Sequence, residues 1–533
     1  MTDPILTQLA ESHPVLETLS AIVGAANVIT GESLDYYSRD VYNTLNPPLA
    51  VVRPNSVEQL QAIIRNCHDN KILCTIRGGG ASYTDGYLPN ADGALMLDLG
   101  RLNKIVEVSE TDAYVTVESG VTWAQLKERL DPMGWRTPFW GPFSGLRASI
   151  GGALSQHTLS HGTGAYGISA ESVLSLDVVA GDGSLISTGS SSAGAKPFTR
   201  YYGPDLTGLF TGDCGTLGVK ARVTLPLLRK RPAHQTVSFT FADFKSMHTS
   251  MQRIAAERLE DTHFALDGAL SQGQIARQER SRELLSMAFS ILKSSPTYAQ
   301  GVRQLLLSAF RAKKVISNSP YMTHYIVEGV NQMEANSRAQ RLREINLEIG
   351  QEVPATVPSV VRGMPFAPFF NTLGPNGERW VPLHGILPHS AVNAFHQELK
   401  NYYRKHDTEL KQLGIWHGKM FSAVGASAFL YEIALYWPDE ITAYHREVVP
   451  NDYLGQLPTY DANPEARQRV ERIKSDIIEL LCQHGATNYQ LGKAYPYLER
   501  LDPEVQNLVR SLKQHLDPRG IVSPGNLGLP HAK

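Results

Sequence analysis

The sequence lacks the features of a membrane-spanning or secreted protein. Nowhere in its 533 residues does an apolar run approach the roughly 20 residues of a membrane span. The first turns carry acidic and polar side chains where a secretory signal needs basic residues and then an unbroken apolar stretch. We therefore expect a cytoplasmic protein without a membrane span.

The chain is also poor in cysteine and in excess charge of either sign. Its four cysteines have no metal-ligand spacing, and their scarcity suits a reducing compartment, so no metal site is predicted. A formal charge of −2 leaves no broad basic surface to collect phosphates, and nucleic acid is not expected as a partner. A small anionic or neutral substrate remains open.

Apolar residues, at 42% of the chain, are numerous enough for more than one buried core. Short strands and amphipathic helices alternate in mixed order, with Gly, Pro and Asp at the joints, which predicts an α+β class. Amphipathic helices at 280–293 and 301–314 are predicted to pack on a sheet rather than on a membrane surface. The predicted segments are an N-terminal approach (1–45), a first domain (46–229), a second domain (230–484) and a C-terminal segment (485–533).

A glycine-rich loop, RGGGASYTDGYLP, directly follows the predicted strand KILCTIR. Three successive glycines let backbone amides approach an anion closely, and Ser82 adds a hydroxyl donor, which suits a pyrophosphate. The loop fits neither the nicotinamide dinucleotide fingerprint nor a nucleotide triphosphate loop. Alone it is a tight turn about as often as a ligand site. Two further glycine-bearing segments, SIGGALSQHTLSHGTGAYG and RYYGPDLTGLFTGDCGTLGVKARVTL, favour a large cofactor.

These segments occur in an order that resembles a known family. VVRP, TIRGGGASYTDGYLP, MLDLGRLNKIVEV, VTVESGVTWAQL, SIGGALSQ and YGPDLTGLFTGDCGTLGV are similar to the FAD-binding domain of the vanillyl-alcohol oxidase/p-cresol methylhydroxylase (PCMH-type) flavoproteins, and LDPRGIVSPGNLG resembles the family's C-terminal segment. The resemblance covers roughly residues 45–230 and 485–530. It implies a two-part FAD domain at 46–229, an α+β antiparallel-sheet cap that binds substrate at 230–484, and a C-terminal segment that returns to the FAD domain.

The resemblance carries flavin contacts onto three segments of this chain. The pyrophosphate loop is Arg77, Gly78, Gly79, Gly80, Ala81 and Ser82. The second flavin-contacting segment is Ser149, Ile150, Gly151, Gly152 and Ser155, continued by Gly162, Tyr166 and Gly167. The adenine side is lined by Gly215, Thr216, Leu217, Gly218 and Val219.

Some members of the family attach FAD covalently through a histidine in the glycine loop or in the cap. This chain has Ala81 in the loop, and its cap strand FLYEIALYW offers Leu430 and Tyr431. Neither position supplies the histidine. The resemblance therefore implies non-covalent FAD.

Four residues are candidates for catalysis. Tyr489 and Gln490 occupy the place of a tyrosine–arginine pair that stabilises a substrate phenolate in phenol-oxidising members, and the cation is absent here. His157 and His161 lie where the flavin ring is expected, and a histidine there is able to accept a substrate proton. Lys493, His384 and His417 are weaker candidates. No cap histidine cluster of the metal-binding 2-hydroxy acid branch is present.

The resemblance implies an FAD-dependent oxidoreductase of the CH–OH class. We expect it to oxidise an alcohol or a hydroxylated, phenolic or other aromatic small molecule by hydride transfer to flavin N5, with oxygen, an electron-accepting protein or a quinone as acceptor. The alternatives are a D-2-hydroxy acid dehydrogenase, an alkyl transferase of the ether-lipid synthase type and a non-catalytic flavin-binding module. A homodimer is left open.

Overall fold

The computed structural model describes residues 14–280 and 319–530. Its N-terminal part contains a four-stranded sheet of order β1-β2-β4-β3, in which β2, β4 and β3 run parallel. The strands are β1 (Val28–Ile29), β2 (Val51–Val52), β3 (Cys74–Arg77) and β4 (Leu95–Asp98). The helices of this part are α1 (Pro14–Val23), α2 (Leu34–Tyr37) and α3 (Val57–Asn70).

Helix α3 shows why the chain turns back into the sheet at β3. Ser56 caps its first turn by accepting a hydrogen bond from the Gln59 amide at 3.2 Å. The helix ends at Lys71, which adopts a left-handed conformation with φ of 55°. Leu60, Ile63, Ile64 and Cys67 form its fully buried face. The left-handed Lys71 turns the chain back into β3, and the glycine-rich loop follows directly after that strand.

The second half of the same domain is an antiparallel sheet of order β5-β6-β10-β8-β9. Its strands are β5 (Ile105–Ser109), β6 (Tyr114–Glu118), β8 (Ser175–Val179), β9 (Leu185–Ser187) and β10 (Val219–Pro226), and a separate pair joins β7 (Trp135–Arg136) to β11 (Leu228–Arg229). The helices are α4 (Trp123–Leu130), α5 (Ile150–Ser155), α6 (Thr163–Tyr166) and α7 (Leu206–Leu209).

The cap is built on a seven-stranded antiparallel sheet of order β15-β12-β14-β13-β17-β18-β16. Its strands are β12 (Ala233–Phe241), β13 (Thr262–Asp267), β14 (Tyr321–Gly329), β15 (Gln351–Val353), β16 (Arg379–Pro388), β17 (Trp416–Val424) and β18 (Ala428–Trp437). Its helices are α8 (Phe244–Glu257), α9 (Gly268–Arg280), α10 (Gln332–Leu347), α11 (Thr356–Gly363), α12 (His389–Gln412), α13 (Ala443–Val448), α14 (Asn451–Leu454) and α15 (Pro464–Gln483).

One face of the cap sheet carries the largest buried core of the described residues. Strands β12, β14, β16, β17 and β18 pack there against α8, α10, α12 and α15. The opposite face meets the first domain. The predicted α+β class with an antiparallel cap sheet is therefore confirmed.

A buried ion network joins the two parts. Glu328 of β14 pairs with Arg136 of β7 at 2.9 Å and with Arg362 of α11 at 2.6 Å. Burial alone raises the pKa of Glu328, but the two guanidinium groups outweigh it and leave the pKa below its ordinary value. The position of the cap over the first domain is therefore fixed by a desolvated carboxylate that stays ionised.

The C-terminal segment contacts both parts. The Thr487 amide donates to the carbonyl of Ile386 in cap strand β16 at 3.0 Å. After helix α16 (Pro503–Leu516), the chain runs beside β3, where the Ser523 amide donates to the Cys74 carbonyl at 2.8 Å. The side-chain amide of Asn526 then donates to the carbonyls of Gly86 and Cys214 at 2.8 and 2.7 Å.

The predicted helix at 301–314 lies outside the described residues, as do all but the first residue of the predicted helix at 280–293 and the start of the approach segment. Within 14–280 and 319–530, no helix has the length and apolar character required to cross a membrane.

Candidate functional site

A cavity of about 510 Å³ lies between the first domain and the cap. The glycine loop, the start of α5 and residues around Gly215 form one wall, and the cap sheet with α9 and α11 forms the other. The C-terminal segment contributes Tyr489 and Gln490. The cavity therefore joins three separate parts of the chain.

The glycine loop packs so closely on its neighbours that side chains are excluded. A Cβ atom at Gly79 would lie 1.7 Å from the Arg147 carbonyl oxygen, and one at Gly78 would lie 2.4 Å from the Ser149 hydroxyl. Gly80 has φ of +66°, a left-handed conformation that glycine adopts without strain. No backbone amide of 78–82 donates a hydrogen bond to another described residue. These amides border the cavity, as an anion-binding loop requires.

Arg77 precedes the loop but is not among the residues that line the cavity. Its guanidinium is buried, pairs with Asp98 at 3.3 Å and donates to the Tyr36 hydroxyl. The rings of Tyr36, Tyr37 and Tyr87 surround it at 5.0 to 5.6 Å. Its charge therefore anchors the base of the loop rather than facing a bound anion.

Ala81 and Ser82, the last two residues of the loop, line the cavity. The Ser82 hydroxyl lies 3.1 Å from that of Thr84. The cap helix α13 holds the loop from the other side, because the Tyr444 hydroxyl donates to the Gly80 carbonyl at 2.7 Å.

The second segment brings the N-terminus of α5 to the cavity. Ser149 caps this helix by accepting from the Gly152 amide at 3.3 Å. A Cβ atom at Gly151 would lie 2.5 Å from that of Ser119, so the helix also packs closely. Ser149, Gly151, Gly152 and Ser155 line the cavity, whereas Ile150 is fully buried in the core beneath it.

The continuation of this segment serves the contact between domain and cap instead. Gly162, Tyr166 and Gly167 do not line the cavity. The Gly162 amide donates to the Thr262 hydroxyl of cap strand β13 at 3.1 Å, and Arg136 lies over the Tyr166 ring at 5.6 Å. Gly162 and Gly167 have φ of +90° and +78°.

The third segment lines the cavity in part. Gly215, Gly218 and Val219 face it, and Thr216 and Leu217 do not. The Thr216 carbonyl accepts from the buried Lys513 ammonium at 2.8 Å, which fixes this turn to α16. Lys220 also borders the cavity and forms a buried ion pair with Asp213.

Neither histidine proposed for catalysis lines the cavity. The His161 ring is fully buried, stacks on Trp140 at 4.4 Å and donates through Nε2 to the Pro365 carbonyl at 2.8 Å. Burial lowers the pKa of His161 to about 4. His157, with φ of +51°, packs its ring against Gly212, and burial lowers its pKa too. Burial therefore favours the neutral form of both rings, and neither borders the described cavity.

Tyr489 and Gln490 do reach the cavity. Tyr489 stacks on His384 with ring centroids 3.9 Å apart. Gln490 has φ of +52°, its amide donates to the Gln156 carbonyl at 3.0 Å, and its side chain hydrogen-bonds Tyr83. The structure thereby brings Tyr83 of the glycine loop beside the predicted pair.

The other weaker candidates are placed away from the cavity lining. The Lys493 ammonium donates to the carbonyls of Asp85 and Leu88 at 2.8 and 2.9 Å, and burial lowers its pKa to about 8. His384 lies behind Tyr489, and His417 stacks on Tyr403 at 3.6 Å.

Glu432 is a site residue that the sequence reasoning missed. In β18, Leu430, Glu432, Ala434 and Tyr436 line the cavity, whereas Tyr431, Ile433 and Leu435 pack into the cap core. Burial raises the pKa of Glu432 to about 7. The available signal was a single acidic residue in the otherwise apolar strand FLYEIALYW.

Three positions bear on covalent attachment of FAD: Ala81, Leu430 and Tyr431. Ala81 and Leu430 border the cavity, and the Tyr431 hydroxyl contacts His396 Nδ1 at 2.8 Å, on the core face of the sheet. His324 also lines the cavity, and its Nδ1 lies 2.9 Å from the Ser238 hydroxyl. Non-covalent FAD stays a prediction.

This geometry indicates which class of cofactor the site binds. A loop of bare backbone amides beside a helix N-terminus, in a two-part domain under an antiparallel cap, fits the pyrophosphate of a dinucleotide. A family model described as "FAD binding domain" matches residues 48–189. Residues 48–189 therefore form an FAD-binding domain, and the cofactor is FAD. The chain as a whole has the fold of the PCMH-type flavoproteins.

The similar proteins are curated relatives, which match less than half of this chain, and solved structures, which match nearly all of it. D-lactate dehydrogenase [cytochrome] 1, mitochondrial, from Saccharomyces cerevisiae is 28% identical over 239 residues, which are 43% of this chain and 39% of that protein. The first curated relatives are matched over 39 to 51% of their own length. Among solved structures, p-cresol methylhydroxylase has a TM-score of 0.71 at 17% identity, covering 97% of this chain and 96% of its own. The 4-ethylphenol oxidase from Gulosibacter chungangensis has a TM-score of 0.72 at 17% identity, covering 97% of both.

Proposed function

We propose that this chain is an FAD-dependent oxidoreductase that oxidises a largely apolar, hydroxylated small molecule at the carbon bearing the hydroxyl. The observation that carries the proposal is the single cavity of about 510 Å³ that is continuous from the glycine loop to the cap sheet. FAD would occupy the end at the glycine loop, which leaves the cap end for a small-molecule substrate. Its cap side is lined by apolar groups, including Phe264, Leu266, Val361, Met364, Trp380 and Met420.

The charges around the cavity favour a neutral substrate. The described residues that line it include one lysine, Lys220, and no arginine, and Lys220 is already paired with Asp213 on the cofactor side. A carboxylate or phosphate buried on the cap side would need a cationic partner. Glu432 would also repel such an anion. A 2-hydroxy acid and a phosphorylated ether-lipid precursor are therefore less favoured than a neutral alcohol.

The charges around the cavity also favour a neutral alcohol over a phenolate as the substrate. Tyr83 is half-buried and Tyr489 is buried, and both lie near Glu432. Desolvation is the main cause that raises the pKa of each hydroxyl well above its ordinary value, and the charge of Glu432 adds to it. Gln490 supplies an amide rather than a cation at this end of the cavity. These groups offer hydrogen bonds to a neutral hydroxyl but little stabilisation to a phenolate.

In the proposed reaction the chain binds the substrate, orients its hydroxyl and shields it from water. The apolar cap wall excludes water and holds the substrate's hydrocarbon part, while the hydroxyls of Tyr83 and Tyr489 are available to orient its oxygen. FAD, when bound, would supply the hydride acceptor at flavin N5 and would be reoxidised by oxygen, an electron-accepting protein or a quinone.

The test is anaerobic mixing of the purified yellow protein with 4-methoxybenzyl alcohol, cinnamyl alcohol, 4-ethylphenol and D-lactate. We expect bleaching of the flavin absorbance by one or both alcohols. A matched variant, Ala434→Trp, fills the cavity from β18, where Ala434 is only 2% exposed. It should keep its flavin but lose most of the bleaching. No bleaching by either alcohol would overturn the proposal.

A D-2-hydroxy acid dehydrogenase is the second candidate, because the yeast relative is named as a D-lactate dehydrogenase. That match covers 43% of this chain. Bleaching by D-lactate alone would establish this second candidate in place of the first.

A further inference from the structure

Glu432 is the only acidic side chain among the described residues that line the cavity. It lies in the middle of β18, opposite His384 of β16 on one side and Met420 of β17 on the other. It lines the cavity, is partly accessible, and is desolvated enough for burial to raise its pKa. Within residues 14–280 and 319–530, no hydrogen bond or ion pair to its carboxylate is found.

The groups that face Glu432 from neighbouring elements do not neutralise it. They are Tyr83 of the glycine loop, Tyr489 and Tyr495 of the C-terminal segment, and His384 of β16. The three tyrosines have raised pKa values, burial being the main cause, and are poor proton acceptors. Burial lowers the pKa of His384 to about 3, so this imidazole carries no charge at neutral pH.

A buried carboxylate without a partner is costly when charged. It gains stability by taking up a proton, or by accepting a hydrogen bond from a molecule in the cavity. Burial places the pKa of Glu432 at about 7, where the group exchanges a proton readily near neutral pH.

The other candidates for proton transfer are excluded by their contacts. His161 is locked between Trp140 and the Pro365 carbonyl. His324 lines the cavity, but it lies 2.9 Å from the Ser238 hydroxyl, and burial lowers its pKa to about 3. Glu432 alone is both open to the cavity and without a partner among the described side chains.

We propose that Glu432 is the proton acceptor for the substrate hydroxyl. This inference rests on the proposed function. As the C–H bond breaks and its electron pair leaves as hydride to the flavin, the O–H bond breaks as well. The O–H electron pair forms the second bond of the carbonyl product, and the proton passes to a carboxylate oxygen of Glu432. The two electrons lost by the alcohol equal those gained by FAD, and the products are an aldehyde or ketone and a protonated Glu432.

The first experiment compares wild type with Glu432→Gln and Glu432→Asp by anaerobic stopped-flow. The probe is whichever of 4-methoxybenzyl alcohol and cinnamyl alcohol reduces the wild-type flavin faster. In wild type, the limiting rate of reduction should rise with pH through about 7, because the carboxylate form is required. Glu432→Gln should lose about 10²- to 10⁴-fold in that rate, and its pH profile should be flat. Glu432→Asp should recover part of the rate and of the pH dependence.

The second measurement does not depend on turnover. Because the folded-state pKa of Glu432 lies above its unfolded value, ionisation of this group costs stability above about pH 4.3, with the full cost reached above about pH 7. The holo Glu432→Gln protein should therefore have a higher Tm than wild type at pH 8, and the gain should shrink towards pH 5. Equal flavin content in all variants serves as the folding control.

Each result has a definite meaning. If wild type is reduced and Glu432→Gln reacts within threefold with the same pH profile, the proton-acceptor role is wrong while the proposed function stands. A variant with raised KM, unchanged kcat and unchanged pH profile would show that the carboxylate only binds substrate, which also overturns the role. If no alcohol reduces wild type, the proposed function fails, and the role fails with it.

Discussion

Replacing Gly79 by alanine is the most direct perturbation of the cofactor site. The added Cβ atom would lie 1.7 Å from the Arg147 carbonyl oxygen and 3.2 Å from the Ala148 Cα. Real Cβ atoms essentially never approach another heavy atom within 3.0 Å, so the loop or the segment at Arg147 must move by more than about 1 Å. The two neighbours are backbone atoms, which do not swing aside as a flexible side chain does.

The magnitude follows from the hydrogen bonds that such a shift removes. A displacement of this size takes loop amides out of reach of a phosphate oxygen, since a hydrogen bond is lost within a few tenths of an ångström beyond its usual length. Each charge-assisted hydrogen bond is worth about 1.5 to 3 kcal/mol. The loss of two of them weakens FAD binding by about 3 to 6 kcal/mol, or about 10²- to 10⁴-fold in Kd.

The assay is titration of the flavin-free protein with FAD, followed by quenching of flavin fluorescence. Gly455→Ala is the matched control, because Gly455 is exposed, has an ordinary helical φ of −65° and would place its Cβ atom 3.4 Å from the Asn451 carbonyl oxygen. The control should bind FAD like wild type. A Gly79→Ala protein that binds FAD with a Kd within twofold of wild type would refute the assignment of this loop to the pyrophosphate.

Two further substitutions test the placement of buried charges. Glu328→Gln leaves Arg136 and Arg362 without their carboxylate and should lower the free energy of unfolding by about 3 kcal/mol at pH 7, measured by urea denaturation. Since the folded-state pKa of Glu328 is lowered, this stabilisation is present above about pH 4.3 and is lost as the pH falls through the lowered value, so a difference that stays constant down to pH 3 would contradict the reasoning. His161→Phe should lower stability by about 1 kcal/mol, through the lost bond to Pro365, yet leave the pH profile of flavin reduction unchanged. A flattened profile would restore His161 as a catalytic candidate.

The glycine segments that line the cavity could be found in the sequence because their signals are local. Gly79 is required where its backbone meets the Arg147 carbonyl, Gly78 where the Ser149 hydroxyl lies close, and Gly80 for its left-handed φ. These requirements show in the sequence as consecutive glycines after a strand. The direction of individual side chains was not predictable. Arg77 and Ile150 belong to the right segments, but one is held by Asp98 and the other by the core.

The cap was harder to predict because its strands depend on tertiary pairing. Strand-like runs stand out in the cap sequence at TVSFTFADF and FLYEIALYW, whereas the described residues form seven strands. Strand β13 is buried along its whole length and shows no alternation, while β16 contains Pro382 and Gly385, which disfavour a strand. Hydrogen bonding to neighbouring strands overrides these local preferences.

The histidine hypothesis was based on proximity in sequence to the flavin segments. Proximity did not reveal that the His161 ring turns away towards Trp140 and Phe366. Glu432 is about 350 residues from Tyr83 along the chain, so no local pattern links them. Only the fold brings the carboxylate to the same cavity as the glycine loop.

The C-terminal segment explains how the two halves of the site keep a fixed distance. Within a few residues it pairs with the cap at Thr487, places Tyr489 and Gln490 in the cavity, and bonds to the cofactor side through the Gln490 amide. Further on, Asn526 ties it to the turns at Gly86 and Cys214 that border the cofactor wall. A displacement of either wall must therefore strain this segment. Because hydride transfer requires a substrate carbon to be held within about 3 to 3.5 Å of its acceptor, a segment bonded to both walls provides the rigidity that the proposed reaction needs.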